Sequence, residues 1–399
     1  MSSNSDADLA ELRAAGYRIV HSPRTGNAWL VLGYRDVVEI LQDHDTYSSL
    51  YALGGPVDQI NPPEVVAEIP EFLKANVTGV VDSDPPHHTR FRDNLHRAYA
   101  GHRINKWKPD IQRLAQELAA RLEENVGEID LATRYVMPFV QHAMGLVMGI
   151  PSEDVDAVAA WGLDMASLIA PTVPVDDKIA AARRLQKYEE WADTFIESKR
   201  VGTRDDVISV YIRGDADAAP MLEHDVMNCL LTHFVAGTMT TRNAILTTTH
   251  QLLRDRSLWE HAVNLPQEYA ARALEEGMRL VAPHRGLMRV TTREVVLDST
   301  TFPAGTMLIP LLGSANLDEN QFTAADKFDP DRSNSREHLA FGTGIHACIG
   351  MHLARQEGRI AIGTLLSDLP SLRLTRPTEQ PDYIPDIFFR GISSLYVAA

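Results

Sequence analysis

The feature that most constrains the fold is one long stretch of helical periodicity over residues 221–254. About 30 residues at a rise of about 1.5 Å per residue give a helix of about 45 Å, the full width of a large domain. We expect an unbroken helix of that length to be central. Helical periodicity is also present over residues 35–42, 89–100, 107–125, 138–148, 153–169, 176–199 and from Cys348 to about Leu366.

Strand patterns are few and short by comparison. Short strands are predicted at residues 29–32, 290–297 and 307–310 and in the tail from Leu372 onward. Turns are predicted at Asp298–Ser299 and at residues 303–305. Residues 54–86 are rich in proline and glycine and predict a loop with one short helix at about residues 64–73. The sequence therefore predicts a single domain over residues 1–399, mainly α with a small β portion.

Composition excludes several classes of partner. The net charge is −16, from 38 basic and 54 acidic residues, and such a surface repels nucleic acids and anionic membranes. The N-terminus lacks the pattern of a secretory signal, and the apolar run 136–150 is too short to span a bilayer. Only two cysteines, Cys229 and Cys348, are present, which excludes a disulfide framework. We expect a cytoplasmic protein.

Cys348 lies in the segment Phe341-Gly-Thr-Gly-Ile-His-Ala-Cys-Ile-Gly350, directly before a predicted helix. Glycines on both sides of the cysteine let the backbone approach a flat ligand closely. Backbone N–H groups at a helix start favour the thiolate form of a nearby cysteine. Two interpretations are open from these residues alone: an inert, buried cysteine beside a turn, or a cofactor ligand.

The spacing of Phe341, Gly344, His346, Cys348 and Gly350 resembles the haem-binding signature of the cytochrome P450 family in full. The resemblance implies the cytochrome P450 fold, with the long central helix over a haem b (iron protoporphyrin IX). It implies that Cys348 is the axial ligand of the iron, the only metal ligand from the protein. It also implies that Phe341 lies near the sulfur, that His346 reaches a haem propionate and that Gly350 belongs to the cofactor site.

A second motif surrounds Glu276 and Arg279, which are three residues apart and share a helix face. On an exposed surface such an ion pair is worth under about 1 kcal/mol and has no special role. Here the pair resembles the Glu-x-x-Arg motif of the same family. The resemblance implies that Arg332, from a downstream loop, joins the pair and that the three residues stabilise the haem-binding core.

A third motif follows the two prolines at residues 85–86. His88 and Arg92 are four residues apart and lie on one face of a predicted helix. They are either a solvated basic first turn or, as the resemblance implies, a pair that binds haem propionates. Arg289 resembles the family arginine that supplies a further propionate contact, and arginine suits charge-assisted bonds to carboxylates.

The fourth motif lies in the long helix, at residues 236–241. Gly237 costs about 1 kcal/mol relative to alanine inside a helix, so it requires a reason. Thr240 can direct its hydroxyl at the carbonyl of Ala236 and bend the helix locally. The resemblance implies that this segment, with Thr241, crosses the distal face of the haem, makes room for dioxygen and helps to deliver protons. The alternative is a tightly packed helix crossing.

Met239 departs from the family pattern, which usually has Asp or Glu before the threonine. Methionine cannot carry a proton, so the acid–alcohol pair is incomplete. Three explanations are open. A group of the substrate, with water, replaces the acid in an ordinary hydroxylase; the enzyme couples, cyclises or desaturates its substrate without inserting oxygen; or the chain is an unusual or non-catalytic haem protein, such as a sensor.

His233 lies seven residues before Thr240, about two helical turns away on nearly the same face. It is a candidate for substrate orientation or proton relay, because its ordinary pKa is near neutrality, or else a hydrogen-bonded core histidine. The pocket that the resemblance implies includes Thr232, His233, Val235, Met239, Arg285, Leu287 and Phe388, with parts of residues 54–81, 163–175 and 387–389. Most of these residues are apolar, which favours a medium-sized organic substrate.

The resemblance also implies how electrons arrive. The sequence contains no flavin or iron–sulfur domain, so a ferredoxin with its ferredoxin reductase is the expected donor to a monomeric enzyme. Candidate docking residues are Arg97, Arg103, His352 and Arg355. The leading prediction is oxygen-dependent hydroxylation of a small molecule in secondary metabolism, with oxidative coupling, cyclisation or desaturation as the alternative.

Overall fold

The computed structural model describes residues 4–53, 55, 57–75, 79–124, 127–202, 205–214, 219–384, 386 and 388–399. Part of the predicted pocket, namely residues 54, 56, 76–78 and Ile387, lies outside the described residues. Two compact units are present: one contains Met1–Tyr47, Lys108–Val140 and Met239–Ala399, the other Ser48–Trp107 and Gln141–Thr238. The single domain over residues 1–399 therefore stays a prediction.

Helices dominate the described chain, as the sequence predicts. The α-helices are α1 (Asn4–Ala14), α2 (Tyr34–Gln42), α3 (Val57–Ile60), α4 (Pro63–Val66), α5 (Glu71–Ala75), α6 (His87–Ala98), α7 (Gly101–Glu123), α8 (Met137–Met148), α9 (Val155–Ile169), α10 (Val175–Arg200), α11 (Val207–Arg213), α12 (Glu223–Arg254), α13 (Arg256–Val263), α14 (Pro266–Leu280), α15 (Leu312–Ala315) and α16 (Met351–Asp368). The predicted long helix is α12, whose 32 residues run without a break. None of the helices in the described ranges has the length and apolar character needed to cross a membrane.

The β portion is small. The strands are β1 (Ile19–Ser22), β2 (Ala28–Val31), β3 (Tyr47–Ser48), β4 (Ile129–Asp130), β5 (Arg289–Thr291), β6 (Val295–Leu297), β7 (Thr300–Phe302), β8 (Met307–Pro310), β9 (Arg373–Leu374) and β10 (Tyr396–Ala398). They form a five-stranded sheet in the order β1-β2-β8-β5-β3, a three-stranded sheet in the order β4-β10-β9, and the hairpin β6-β7.

In the unit that contains Cys348, the five-stranded sheet packs on an apolar cluster that includes Val37 and Ile40 of α2 and Phe302 of the hairpin. Helices α14 and α16 of the same unit pack closely. A methyl group at Gly358 would lie 2.6 Å from Cδ2 of Leu274, so the glycine permits this close approach. This packing places the helix that follows Cys348 against the helix that carries Glu276.

The other unit is held together by aromatic packing between α9 and α10. Trp161 of α9 contacts Tyr188 and Trp191 of α10, with ring centroids 5.7 Å apart in both pairs. Trp191 also stacks on Phe195 at 4.8 Å. Aromatic pairs of this kind add about 0.5–1.5 kcal/mol each to the burial of their surface.

The predicted turn at Asp298–Ser299 was confirmed, whereas two longer predicted segments were wrong. Asp298 and Ser299 have φ values of 46° and 62° and form the two-residue turn between β6 and β7. Two positive φ angles match the right-handed twist of a hairpin. The single strand over residues 290–297 was wrong: β5 pairs with β8, whereas β6 pairs with β7, so the chain changes sheet between them. The single helix at 64–73 was also wrong, because α4 and α5 replace it.

Candidate functional site

The cysteine loop, residues 338–350, ends at the N-terminus of α16. Cys348 is exposed, and its backbone N–H donates to the carbonyl oxygen of Phe341 at 2.8 Å. That bond closes the segment into a compact loop whose thiol is accessible. The helix begins at Met351, and its first N–H groups provide the positive end of a helix dipole close to Cys348 in sequence.

Two glycines of this loop have a steric reason to be glycine. Gly342 and Gly344 have φ angles of 63° and 73°, in the left-handed region. At Gly344 a methyl group would also collide with the carbonyl oxygen of Leu41, at the end of α2. Gly350 differs, since a methyl group there would lie 4.0 Å from the cysteine sulfur in ordinary contact, and no residue that the structure describes requires a glycine at this position.

Phe341 is half-buried and has two polar neighbours. The guanidinium of Arg355 lies 4.7 Å from the centre of its ring, and the His338 ring centroid lies 5.7 Å away. Arg355 is bonded in turn to Glu275, as is His338. The sequence did not single out Glu275 or His338. The glutamate doublet on α14 was the signal that could have found Glu275.

Glu276 and Arg279 form the ion pair that their spacing predicts, and both are fully buried. Arg279 donates from Nε and Nη2 to the two carboxylate oxygens, at 2.8 Å each. Arg332 donates from Nε to the same carboxylate at 3.0 Å, and the backbone N–H of Asp329 donates at 3.0 Å. Arg279 also donates to three backbone carbonyls, those of Asn316, Ala325 and Lys327. The cluster is saturated with hydrogen bonds.

The segment after α14 contains several predicted pocket residues. The backbone N–H of Arg285 donates to the carbonyl of Phe388 at 2.7 Å, and Leu287 and Phe388 are half-buried. His284 packs between Phe388 and Phe389, and burial lowers its pKa to about 4, so its imidazole is neutral. Farther along, Arg289 of β5 is only 2% exposed.

Two of the predicted oxygen-side residues are partly accessible. Met239 and Thr240 are half-buried, whereas Thr241 is only 3% exposed. Thr241 is therefore packed in the protein interior, and its predicted catalytic role stays a prediction. Position 239 is a methionine, and none of residues 236–241 has an ionisable side chain.

The other unit contains the remaining residues of α12. Ala236 is exposed, and Thr238 donates its hydroxyl to the carbonyl of Phe234 at 2.8 Å. A methyl group at Gly237 would lie 2.7 Å from the sulfur of Met144 on α8. The structure thus shows a packing reason for Gly237. This is the tightly packed helix crossing that the sequence analysis left open as an alternative.

His233 is buried in the same unit. Its Nδ1 lies 3.1 Å from the hydroxyl of Tyr211, and its Nε2 is buried without a hydrogen-bond partner in the described ranges. Burial lowers the pKa of His233 to about 4. These contacts fit a neutral, hydrogen-bonded core histidine, and the role in substrate orientation or proton relay stays a prediction. The hydroxyl of Thr232 donates to Oδ1 of Asn228 at 3.1 Å.

The predicted propionate ligands on α6 differ in exposure. His88 is 3% exposed, and Arg92 is half-buried and donates from Nε to His96 at 2.9 Å. Val235, whose Cγ2 would lie 2.6 Å from a methyl group at Gly162, is in the unit that does not contain Cys348. His88 and Arg92 lie in the same unit. Their roles toward a cofactor stay predictions.

Similarity to known proteins shows which family the chain belongs to. The sequence model described as Cytochrome P450 matches residues 259–383. Cytochrome P450-SU2 of Streptomyces griseolus is 31% identical to this chain over 376 residues, which cover 93% of the chain and 88% of the relative. The chain belongs to the cytochrome P450 family.

Further P450s match over nearly the whole chain. The mycinamicin IV hydroxylase/epoxidase of Micromonospora griseorubida is 28% identical over 374 residues, which cover 93% of this chain and 89% of the relative. The solved structure of the versatile cytochrome P450 enzyme CYP109B1 from Bacillus subtilis has a TM-score of 0.82 and 25% identity, with 98% of each chain covered. The predicted P450 fold is confirmed, and the protein is an oxidoreductase of the P450 monooxygenase class.

The cofactor of P450s is haem, and the residues present fit it. Cys348 offers an exposed, soft sulfur donor on a loop before a helix, conditions that favour a thiolate. Cys229 does not compete, because it is 2% exposed and burial raises the pKa of its thiol far above the ordinary value. Of the two thiols, only that of Cys348 is accessible to a cofactor.

The residues of the predicted basic docking patch differ in their ion pairs. Arg355 forms a bidentate ion pair with Glu275, whereas Arg103 donates from one nitrogen to Asp205, a carboxylate that it shares with Lys106. The charge of Arg355 is thus compensated within the protein, which weakens the attraction that it offers to an acidic partner. Arg97, Arg103 and His352 stay candidates.

Proposed function

We propose that this P450 uses Cys348 as the axial thiolate of a haem b and hydroxylates a medium-sized organic substrate in secondary metabolism. The observation that carries the proposal is the exposed thiol of Cys348 in a glycine loop, in contrast to the buried thiol of Cys229. The bound haem would supply the activation of dioxygen. The protein would bind and orient the substrate and deliver protons.

Cationic or hydrogen-bond-donating side chains are proposed to hold the haem propionates. In the unit that contains Cys348 these are Arg289 and His346; in the other unit they are His88 and Arg92. Charge-assisted bonds from such groups to carboxylates are stronger than neutral hydrogen bonds. Phe341 and Gly350 are proposed to border the cofactor, and Glu276, Arg279 and Arg332 to stabilise the core around it.

The substrate is proposed to be largely apolar. In the unit with Cys348 the proposed contacts are Met239, Arg285, Leu287 and Phe388; in the other they are Thr232, His233 and Val235. His284 and His233 both have pKa values of about 4 and are therefore neutral, so neither attracts an anionic group at pH 7. Arg285 is the candidate for a polar group of the substrate.

Proton delivery is proposed to depend on Thr240, with Ala236 and Gly237 shaping the helix beside it. Met239 cannot hold a proton, so a water molecule or a hydroxyl of the substrate must take the place of the usual acid. This same residue favours the second candidate function: abstraction of hydrogen followed by coupling, cyclisation or desaturation without oxygen insertion.

Partners and location complete the proposal. A ferredoxin with its reductase is the proposed electron donor, and the enzyme is proposed to be a monomer. The cytoplasm is the proposed location, because a thiolate ligand requires Cys348 to stay reduced.

The ligand assignment is tested by the carbon monoxide spectrum of the reduced protein. We expect the wild type and the Cys229→Ser control to give the red-shifted Soret band of thiolate ligation, and Cys348→Ser to lose it. A haem-loaded wild type without that band, or a Cys348→Ser variant that keeps it, would refute the assignment.

The reaction type is tested at Met239. Compounds that shift the haem absorption are first identified, beginning with mycinamicin IV because a relative is named for it. Labelled dioxygen then distinguishes the candidates, since only hydroxylation places the label in the product. We expect Met239→Glu to raise turnover with the product unchanged, and Met239→Leu to match the wild type. An unlabelled product would favour the second candidate.

A further inference from the structure

Glu275 connects α14 to α16 by a strong ion pair. Its side chain is 5% exposed and accepts from Arg355 Nε at 2.6 Å and from Arg355 Nη2 at 2.9 Å. The pair is bidentate, so it restricts the orientation of the guanidinium as well as its position. Arg355 lies seven residues after Cys348, in the second turn of α16.

The same carboxylate holds the other end of the cysteine loop. The backbone N–H of Ala340 donates to His338 Nδ1 at 3.1 Å, so that nitrogen is the acceptor. His338 Nε2 therefore carries the hydrogen, and it faces Glu275 Oε2 at 3.2 Å. One buried carboxylate thus binds the first residue of the cysteine loop and a residue that follows the loop.

Both partners of Glu275 contact Phe341. The Arg355 guanidinium lies over the ring at 4.7 Å, a cation–π contact, and the His338 ring lies beside it. The carbonyl oxygen of Phe341 accepts from the N–H of Cys348. The contacts run without a gap from Glu275, through two side chains and Phe341, to the backbone of Cys348.

Glu275 is ionised under working conditions. Burial raises its pKa, but the hydrogen bonds from His338 and Arg355 outweigh burial and hold the pKa at about 2. The arrangement therefore contains a permanent negative charge that compensates the positive charge of Arg355 beside the cysteine loop.

We propose that Glu275 is a positioning residue for Cys348: through Arg355 and His338 it fixes Phe341 and the loop that presents the sulfur, and its charge contributes to the electrostatic setting of that sulfur. The proposal rests on the proposed function, in which Cys348 ligates the haem iron. It assigns Arg355 to the support of the loop rather than to the docking of a redox partner.

The test uses the haem-loaded protein with a chemical reductant, so no redox partner is needed. Glu275→Gln keeps the shape of the side chain and removes its charge. We expect the red-shifted carbon monoxide band to convert to the unshifted form about tenfold faster or more, the factor that about 1.4 kcal/mol produces. We also expect a more positive reduction potential, because a compensating negative charge is lost.

Asp206→Asn is the matched control. Asp206 forms a buried ion pair with Lys199 at 2.7 Å, in the unit without Cys348. This control should lower thermal stability and leave the band conversion and the potential unchanged. If Glu275→Gln loses haem altogether, Arg355→Lys takes its place, because it keeps the charge but not the bidentate geometry. Its band conversion rate and its reduction potential should change in the same direction, by less than the changes given above for Glu275→Gln.

Each outcome bears on the proposal. Wild-type spectra and potential in Glu275→Gln, or in Arg355→Lys where that variant is needed, would overturn it while the thiolate assignment stands. An equal effect of Asp206→Asn would also overturn it, since the effect would then reflect global stability. A wild type that binds haem without the red-shifted band would refute the proposed function itself, and this inference with it.

Discussion

Two neighbouring helices of this P450, α14 and α16, each bury a glutamate completely, but in opposite electrostatic situations. Glu276 of α14 accepts from two arginines and a backbone N–H. Glu357 of α16 is 1% exposed, and its Oε1 has no hydrogen-bond partner within the described chain. Burial alone raises the pKa of Glu357 to about 8, so it is mostly protonated at neutral pH.

The contrast shows that partners, and not depth, decide whether a buried carboxylate is charged. A buried ion is stable only where opposite charge and hydrogen bonds replace the water it has lost. Glu276 has these and can anchor the loop that carries Arg332. Glu357 has a buried Oε1 without a hydrogen-bond partner in the described ranges and behaves as a neutral polar group in the protein interior.

The largest expected effect comes from removing a partner of Glu276. Arg279→Met retains volume but leaves the carboxylate with Arg332 and the backbone N–H of Asp329. It also leaves the carbonyls of Asn316 and Ala325 without the donor that Arg279 provides. Breaking a buried pair destabilises by about 3–5 kcal/mol, so we expect a large drop in the urea midpoint and poor haem retention. Near wild-type stability would show that Glu276 does not depend on its partners.

A smaller, pH-dependent effect is expected for Glu357→Gln. The folded pKa lies above the ordinary value of 4.5, so the unfolded chain releases its proton first as pH rises. The free energy of unfolding of the wild type should therefore fall between about pH 4.5 and pH 8, and the variant should lack this decrease. At about 1.4 kcal/mol per pKa unit, the variant should be more stable than the wild type at pH 8 by about 1–4 kcal/mol.

Urea titrations of both proteins at pH 5, 6.5 and 8 measure this difference. It should grow with pH, and parallel curves would mean that Glu357 is ionised and partnered in solution. In that case the contrast with Glu276 would disappear.

The smallest effect is expected for an exposed carboxylate that has a partner. Glu260 of α13 is 64% exposed and pairs with Arg256 at 3.0 Å. Because solvent screens such a pair, Glu260→Gln should change the free energy of unfolding by under about 0.5 kcal/mol, with no trend with pH. The same urea series provides the measurement, and a change above about 1 kcal/mol would show that exposure does not cancel this interaction.

Much of the cysteine loop and its support was open to prediction because the signals are local. The Glu276–Arg279 pair follows from a spacing of three residues on one helix. The turn at Asp298–Ser299 follows from residues adjacent in the chain. The cysteine loop is one continuous segment, so its glycines and its thiol could be recognised together.

Contacts between distant segments were not open to prediction in the same way. Glu275 meets His338 and Arg355 across 63 and 80 residues, and no periodicity specifies such a meeting. Strand 290–297 was mispredicted for the same reason, since its two halves take different partners. Gly237 faces Met144, a residue almost a hundred positions earlier.

By itself the sequence determined that the chain is mainly helical, that one cysteine stands in a segment with the spacing of a haem-binding signature and that methionine occupies position 239, where the family usually has an acid. Each of these features depends on residues close together in the chain. Only the tertiary structure decided which charges are compensated. Glu275, Glu276 and Glu357 are chemically identical in the sequence, and they differ because folding brings arginine to two of them and buries the third with its Oε1 lacking a hydrogen-bond partner among the described residues. Ionisation depends on that surrounding, and the surrounding comes from residues far away in the chain.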